Sequence, residues 1–154
     1  EESGKMAEVA AESGLPIVVM HNQEGKAYER DIIETMKDFF RRTIAIADHA
    51  GVPRNNLLLD PGIGFGKTPE GNLTVLRRQQ ELLTIDGVEY PLLLGTSRKS
   101  FIGAALGLPV DERMEATGAT CVVGIMKGAG IVRIHDVKPI ARMCRMTDAI
   151  LQAD

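Results

Sequence analysis

The chain is poor in the features that mark secreted, membrane-spanning and nucleic-acid-binding proteins. It has only two cysteines in 154 residues, Cys121 and Cys144. Neither sits in a CxxC pair or beside a histidine, so both are expected to be reduced, buried thiols of a cytoplasmic protein. Positive charge is not in excess: the net charge is -3 and there is no basic tail, which argues against a nucleic-acid partner. Long apolar runs are absent too. The longest, Leu15 to Met20 and Pro91 to Leu94, are far too short to cross a bilayer. The polar start Glu1-Glu2-Ser3-Gly4-Lys5 shows no secretory signal, so the sequon at Asn72-Leu73-Thr74 reads as an accident of composition.

What remains is the composition of a globular domain, 44% hydrophobic and 25% charged. Lys5 to Ser13 reads as a helix stopped by Gly14, followed by a buried strand over Pro16 to Met20. After a polar loop from His21 to about Arg30, Asp31 opens an amphipathic helix that runs to about Ala50. The unit then recurs. Leu57 to Leu59 is a strand, Pro61 to Lys67 a glycine-rich loop, and a helix carries Leu73, Leu76 and Leu82. Pro91 to Leu94 is the next strand, followed by a long loop and a helix from about Glu112 to Lys127. Gly128-Ala129-Gly130 breaks that helix, Ile131 to Ile134 is the last strand, and Val137 to Ala153 the last helix. Apolar strands without alternation suit a parallel sheet covered on both faces, either doubly wound or part of a (β/α)8 barrel. Four units are half a barrel, so the chain is expected to be a fragment or one segment of a longer protein.

Every strand runs into polar or glycine residues at its C-terminal end, the edge where parallel α/β folds bind ligands. Asp60 can accept two hydrogen bonds from an amidine-like ligand edge, or cap its own loop through backbone N–H groups. Gly62-Ile63-Gly64-Phe65-Gly66-Lys67-Thr68 fails as a P-loop, because Pro61 stands where that motif needs glycine. It fails as a dinucleotide fingerprint because Lys67 stands where the third glycine belongs. A tight loop beside a flat ligand, with Phe65 as an aromatic platform, fits better. Ser97-Arg98-Lys99-Ser100 puts two cations and two hydroxyls on one loop, with Lys99 the stronger ligand candidate. Arg133 and His135 alternate, so both point to one side, and a pyrophosphate would satisfy both. A structural carboxylate would also do so. His21 either lines the site or caps its strand, His49 reads as surface, and Asp111, Glu112 and Glu115 as a solvated helix start.

Five segments in order resemble motifs of the dihydropteroate synthase family: Val19 to Asn22, Asp60 to Thr68, Leu94 to Gly103, Arg113 to Thr117 and Ile131 to Lys138. The resemblance covers essentially all of residues 1–154. It implies a single partial domain, the C-terminal half of a (β/α)8 barrel, supplying strands five to eight. It implies joining of 6-hydroxymethyl-7,8-dihydropterin pyrophosphate to p-aminobenzoate, with release of pyrophosphate, at a site that sulfonamides compete for. By motif, Asp60 and Lys99 would hold the pterin, with Met20 and Gly95 lining its slot. Ser100 would take the p-aminobenzoate carboxylate, with Phe65 and the Lys67 stem as pocket wall. Arg133 and His135 would bind pyrophosphate, and Lys99, Arg133 and His135 would carry the chemistry. Mg2+ would be held by pyrophosphate and by residues outside this chain, with no metal ligand within it. The absence of an obvious nucleophile or triad agrees with that chemistry. The family also implies a homodimer through the C-terminal helices, with Val122, Ile125, Met126, Met143, Met146 and Ile150 on candidate faces. The alternatives are a pterin-binding methyltransferase of the methyltetrahydrofolate type, and a non-catalytic half-barrel.

Overall fold

The computed structural model describes residues 4–153. Helix α1 (Lys5–Ser13) leads into β1 (Ile17–Met20), α2 (Ile32–Ala50), β2 (Leu57–Asp60) and α3 (Pro69–Arg78). A small hairpin, β3 (Thr84–Ile85) and β4 (Val88–Glu89), precedes β5 (Leu92–Leu94) and α4 (Ser100–Leu106). The chain continues through α5 (Met114–Met126), β6 (Ala129–Val132) and α6 (Val137–Leu151).

Local chemistry sets the helix limits. The Asp31 carboxylate accepts from the Ile33 and Glu34 amides at 3.0 and 3.2 Å, starting α2, and Gly51 at φ 85 ends it. Thr68 caps α3 through the Gly71 amide at 3.0 Å, with Pro69 in the first turn. The buried face of α2, with Ile33, Met36, Phe40, Ile44 and Ala47, packs in one core with Leu57, Leu59, Leu92 and Leu94 of the sheet.

The main sheet has the order β1-β2-β5-β6, all parallel. Met20 pairs with Asp60, Leu59 with Leu92, and Leu93 with Ile131. Because side chains alternate along a strand, Met20, Asp60, Gly95 and Arg133 share one face with Val18, Leu58, Leu93 and Ile131. The opposite face carries the buried leucines. The expected burial of both faces is therefore only half met: Val18 and Ile131 are 43% and 40% exposed. Among the described residues, β1 and β6 each pair on one side only, so the sheet has two open parallel edges.

The structure corrects four sequence expectations. The long loop after β5 contains α4, two turns whose middle Gly103 hides any helical pattern. The helix expected to include Leu82 ends at Arg78, and Leu82 lies in a following 3-10 turn. Helix α5 starts at Met114, preceded by a 3-10 turn over Val110–Glu112. The last strand runs two residues early, over Ala129–Val132, so Arg133 and Ile134 lie past its end, and it absorbs Gly130 through a register shift beside Leu92 and Leu93. Cys121 is buried as expected, Cys144 only partly, and both are free.

Candidate functional site

The strand ends bring most of the expected residues to one mouth. Asp60 ends β2 and is 5% exposed. Its Oδ1 accepts from the Gly62 amide at 2.7 Å, so part of the carboxylate does cap its own loop. Oδ2 has no hydrogen-bond partner among the described residues, which leaves it for a ligand. Burial pushes the Asp60 carboxyl up, and the Gly62 amide and the charges of Lys99, Arg133 and Lys67 pull it back.

The loop after Asp60 turns on three left-handed glycines, with Gly62, Gly64 and Gly66 at φ 64, 86 and 55. A Cβ on Gly62 would collide with the His21 carbonyl, so the loop sits hard against the end of β1. Phe65 is 38% exposed, as an aromatic platform requires, and the Lys99 ammonium lies 4.7 Å from its ring centroid. Lys99 also donates to the Ile63 carbonyl. Burial lowers its pKa, and Asp60 opposes that shift.

Lys67 is turned inward and only 3% exposed, so the stem expected in a pocket wall is almost wholly covered. Its Nζ lies 3.0 Å from His21 Nδ1 and donates at 3.0 Å to the carbonyls of Gly62 and Phe65. Burial, then the His21-facing ammonium of Lys67, holds the His21 imidazole down at about 4, and burial brings Lys67 to about 8. The imidazole is therefore neutral and accepts through Nδ1.

Across the mouth, Gly95, Ser97, Lys99, Arg133, Ile134 and His135 line a cavity of about 250 Å³. Arg133 is exposed and lies over Gly95. It lies just past the end of β6, its amide donating to the Leu94 carbonyl at 2.9 Å. His135 is anchored by Ser97, whose Oγ lies 2.9 Å from Nδ1 and accepts from the His135 amide at 3.1 Å. The second imidazole nitrogen is left for a ligand. Ser100 is exposed at the start of α4, and Met20 is half-buried beside Gly62.

Sequence reasoning missed the residues that support this mouth from behind. Arg98, at φ 55, is not a ligand cation: it makes a bidentate pair with Asp136 at 2.9 and 2.5 Å. Arg113 donates to the carbonyls of Leu108, Arg98 and Lys99, strapping the loop to the start of α5. Asn72 accepts from the Gly64 amide at 2.6 Å and donates to Thr68 O at 2.8 Å. Asn72 is buried, 3% exposed, so its amide serves the loop rather than the surface. His49 and the carboxylates Asp111, Glu112 and Glu115 are exposed, as expected. No group of three or more His, Cys, Asp or Glu side chains among the described residues can hold a metal ion. Asp60, whose carboxylate faces the mouth, is instead surrounded by cations, a poor fit for magnesium.

Parallel strands each followed by a helix, with polar groups gathered at their C-terminal ends, define the class: part of a (β/α)8-barrel enzyme. The chain belongs to the pterin binding enzyme family, whose pattern matches residues 1–135. It is 52% identical over 147 residues to the dihydropteroate synthase of Bacillus subtilis, covering 96% of this chain and 50% of that protein. The crystal structure of a Clostridium difficile dihydropteroate synthase in the presence of pteroic acid superposes with a TM-score of 0.92 at 47% identity, covering 97% of this chain and 56% of the other. A Yersinia pestis structure with a pterine-sulfa conjugate gives 0.92 at 38% identity, over 99% and 58%. The chain spans about half the length of the curated relatives it matches. No helix among the described residues is long and apolar enough to cross a membrane.

Proposed function

We propose that this chain is the C-terminal half, strands five to eight, of a dihydropteroate synthase barrel. The protein condenses 6-hydroxymethyl-7,8-dihydropterin pyrophosphate with p-aminobenzoate in folate biosynthesis. The observation that carries the reading is the alignment of Asp60, Lys99, Arg133 and His135 along one mouth. A carboxylate and several cations stand together there, the set that an amino-pyrimidine edge and a pyrophosphate on one substrate call for.

In the reaction the bond between the pterin CH2 carbon and the pyrophosphate oxygen breaks. The aniline nitrogen of p-aminobenzoate bonds to that carbon and loses a proton. Arg133 and His135 stabilise the departing charge, and the carbon becomes cationic enough to need no strong base. Asp60 and Lys99 hold the pterin ring, with Met20 and Gly95 against it. Ser100 binds the p-aminobenzoate carboxylate and Phe65 its ring, the contact that a sulfonamide copies. Magnesium, if bound, would be held by residues outside this chain and by the pyrophosphate, and would neutralise further charge there. A methyltransferase of the methyltetrahydrofolate type has no use for the Arg133–His135 anion site. We place the protein in the cytoplasm as a homodimer, through the exposed apolar faces of α5 and α6 that include Val123, Met126, Met146 and Ile150.

Pyrophosphate should raise the melting temperature of the chain, and the Arg133→Ala variant should need about tenfold more pyrophosphate for the same protection. No protection of either protein would sink the reading. The isolated chain should show no turnover with both substrates and Mg2+. Fused behind the N-terminal half of the Bacillus subtilis relative, it should turn over.

A further inference from the structure

The Lys67 ammonium has three protons and three acceptors, His21 Nδ1 and the carbonyls of Gly62 and Phe65, all at 3.0 Å. No proton remains for a ligand. Gly62 O also accepts from the Phe65 amide at 3.0 Å, closing a turn around the same centre. A loop with three left-handed glycines gains little from its own backbone preferences, because glycine is free to leave that region. Its carbonyls converge instead on an internal cation, as they would on a bound metal ion.

The shape fixed in this way reaches two ligand-facing side chains. The Gly62 amide holds Asp60 Oδ1 at 2.7 Å. The Ile63 carbonyl accepts from Lys99, whose stem lies against Gly64 and whose ammonium lies over Phe65. We propose that Lys67 is a positioning residue, the hub that sets the 61–67 loop and thereby places Phe65, Lys99 and Asp60, and that it touches neither substrate. What the loop serves rests on the pterin reading; the hub itself stands on the loop's own geometry.

The test uses the whole chain and two independent readouts. By NMR, the Lys99 side-chain methylene protons should carry an upfield ring-current shift from Phe65. Lys67→Met should abolish most of that shift and speed amide exchange at residues 63–66 by about tenfold or more. A core variant that lowers the melting temperature comparably, Leu92→Val, should leave the shift in place, which separates positioning from general loss of stability. His21→Phe keeps a ring against Phe39 but removes the acceptor, and should weaken the same shift if Lys67→Met does not fold. An unchanged shift in the folded Lys67 variant, or in His21→Phe if that one alone folds, overturns the proposal. Equal loss of the shift in Leu92→Val also overturns it. Pyrophosphate protection is read in parallel and should survive Lys67→Met, because Ser97 holds His135 independently. Its absence from the unmodified chain would count against the functional reading while the Lys99 shift still decides the role of Lys67.

Discussion

On the wall of the mouth built by residues 60–72, polar groups satisfy one another: Asp60 with Gly62, Lys67 with three acceptors, Asn72 with Gly64 and Thr68. On the wall built by residues 95–100 and 133–136, support comes from behind. Arg98 grips Asp136, Arg113 grips backbone carbonyls, and Ser97 grips His135, while Arg133 itself makes no side-chain hydrogen bond among the described residues. The first wall is shaped before any ligand arrives, as a slot for a flat heterocycle requires. The second keeps Arg133 and His135 exposed, as a site for a highly charged, strongly hydrated group requires, while its Lys99 reaches across to the Ile63 carbonyl. Precision and charge are thus assigned to different strands of one sheet.

The largest test of this contrast is Asp60→Asn. It should weaken binding of a pterin ligand on the order of a hundredfold, the loss of a charge-assisted pair, while leaving pyrophosphate protection unchanged. Titration calorimetry with the completed barrel would read the first and thermal shift the second; equal losses would erase the distinction between the walls.

Acid should loosen the first wall next. The buried His21 imidazole is held at about 4 against 6.5 when exposed, so the unfolded chain takes up that proton first. The stability it contributes is full above pH 6.5 and is lost as pH falls to about 4, by up to roughly 3 kcal/mol. Denaturant titrations of the chain and of His21→Phe over that window should diverge by that slope.

A smaller effect is expected on the second wall. Arg133→Ala should cost about tenfold in pyrophosphate affinity, and that affinity should fall steeply as salt is raised from low to physiological strength. Pterin binding should scarcely respond to salt. The smallest effect belongs outside both walls: Asp31→Ala removes the α2 cap, and should cost about 1 kcal/mol in denaturant midpoint without changing either ligand.

Much of this arrangement was legible in the sequence because it is local. The apolar runs before Asp60, Gly95 and Arg133 end in polar residues, and Asp31, Gly14 and Gly51 punctuate the helices. What was not legible is what depends on distant partners. Nothing near Lys67 indicates that its ammonium meets His21, 46 positions away, or near Arg98 that it turns from the mouth to Asp136. Helix α4 is too short to show a period. The hairpin did carry a signal, Asp86-Gly87, which adopts the positive φ values that such a turn demands.

The two open edges of the sheet have a directional consequence. Both β1 and β6 offer unpaired backbone groups, and both run the same way. A segment that completes the ladder in its present sense must bring strands parallel to them, and joining two such strands takes a crossover rather than a tight turn. A simple hairpin, whose strands run opposite ways, can match at most one of its strands to that sense. A complement of parallel strands joined by crossovers therefore continues the sheet's sense at both edges, and a hairpin at one only.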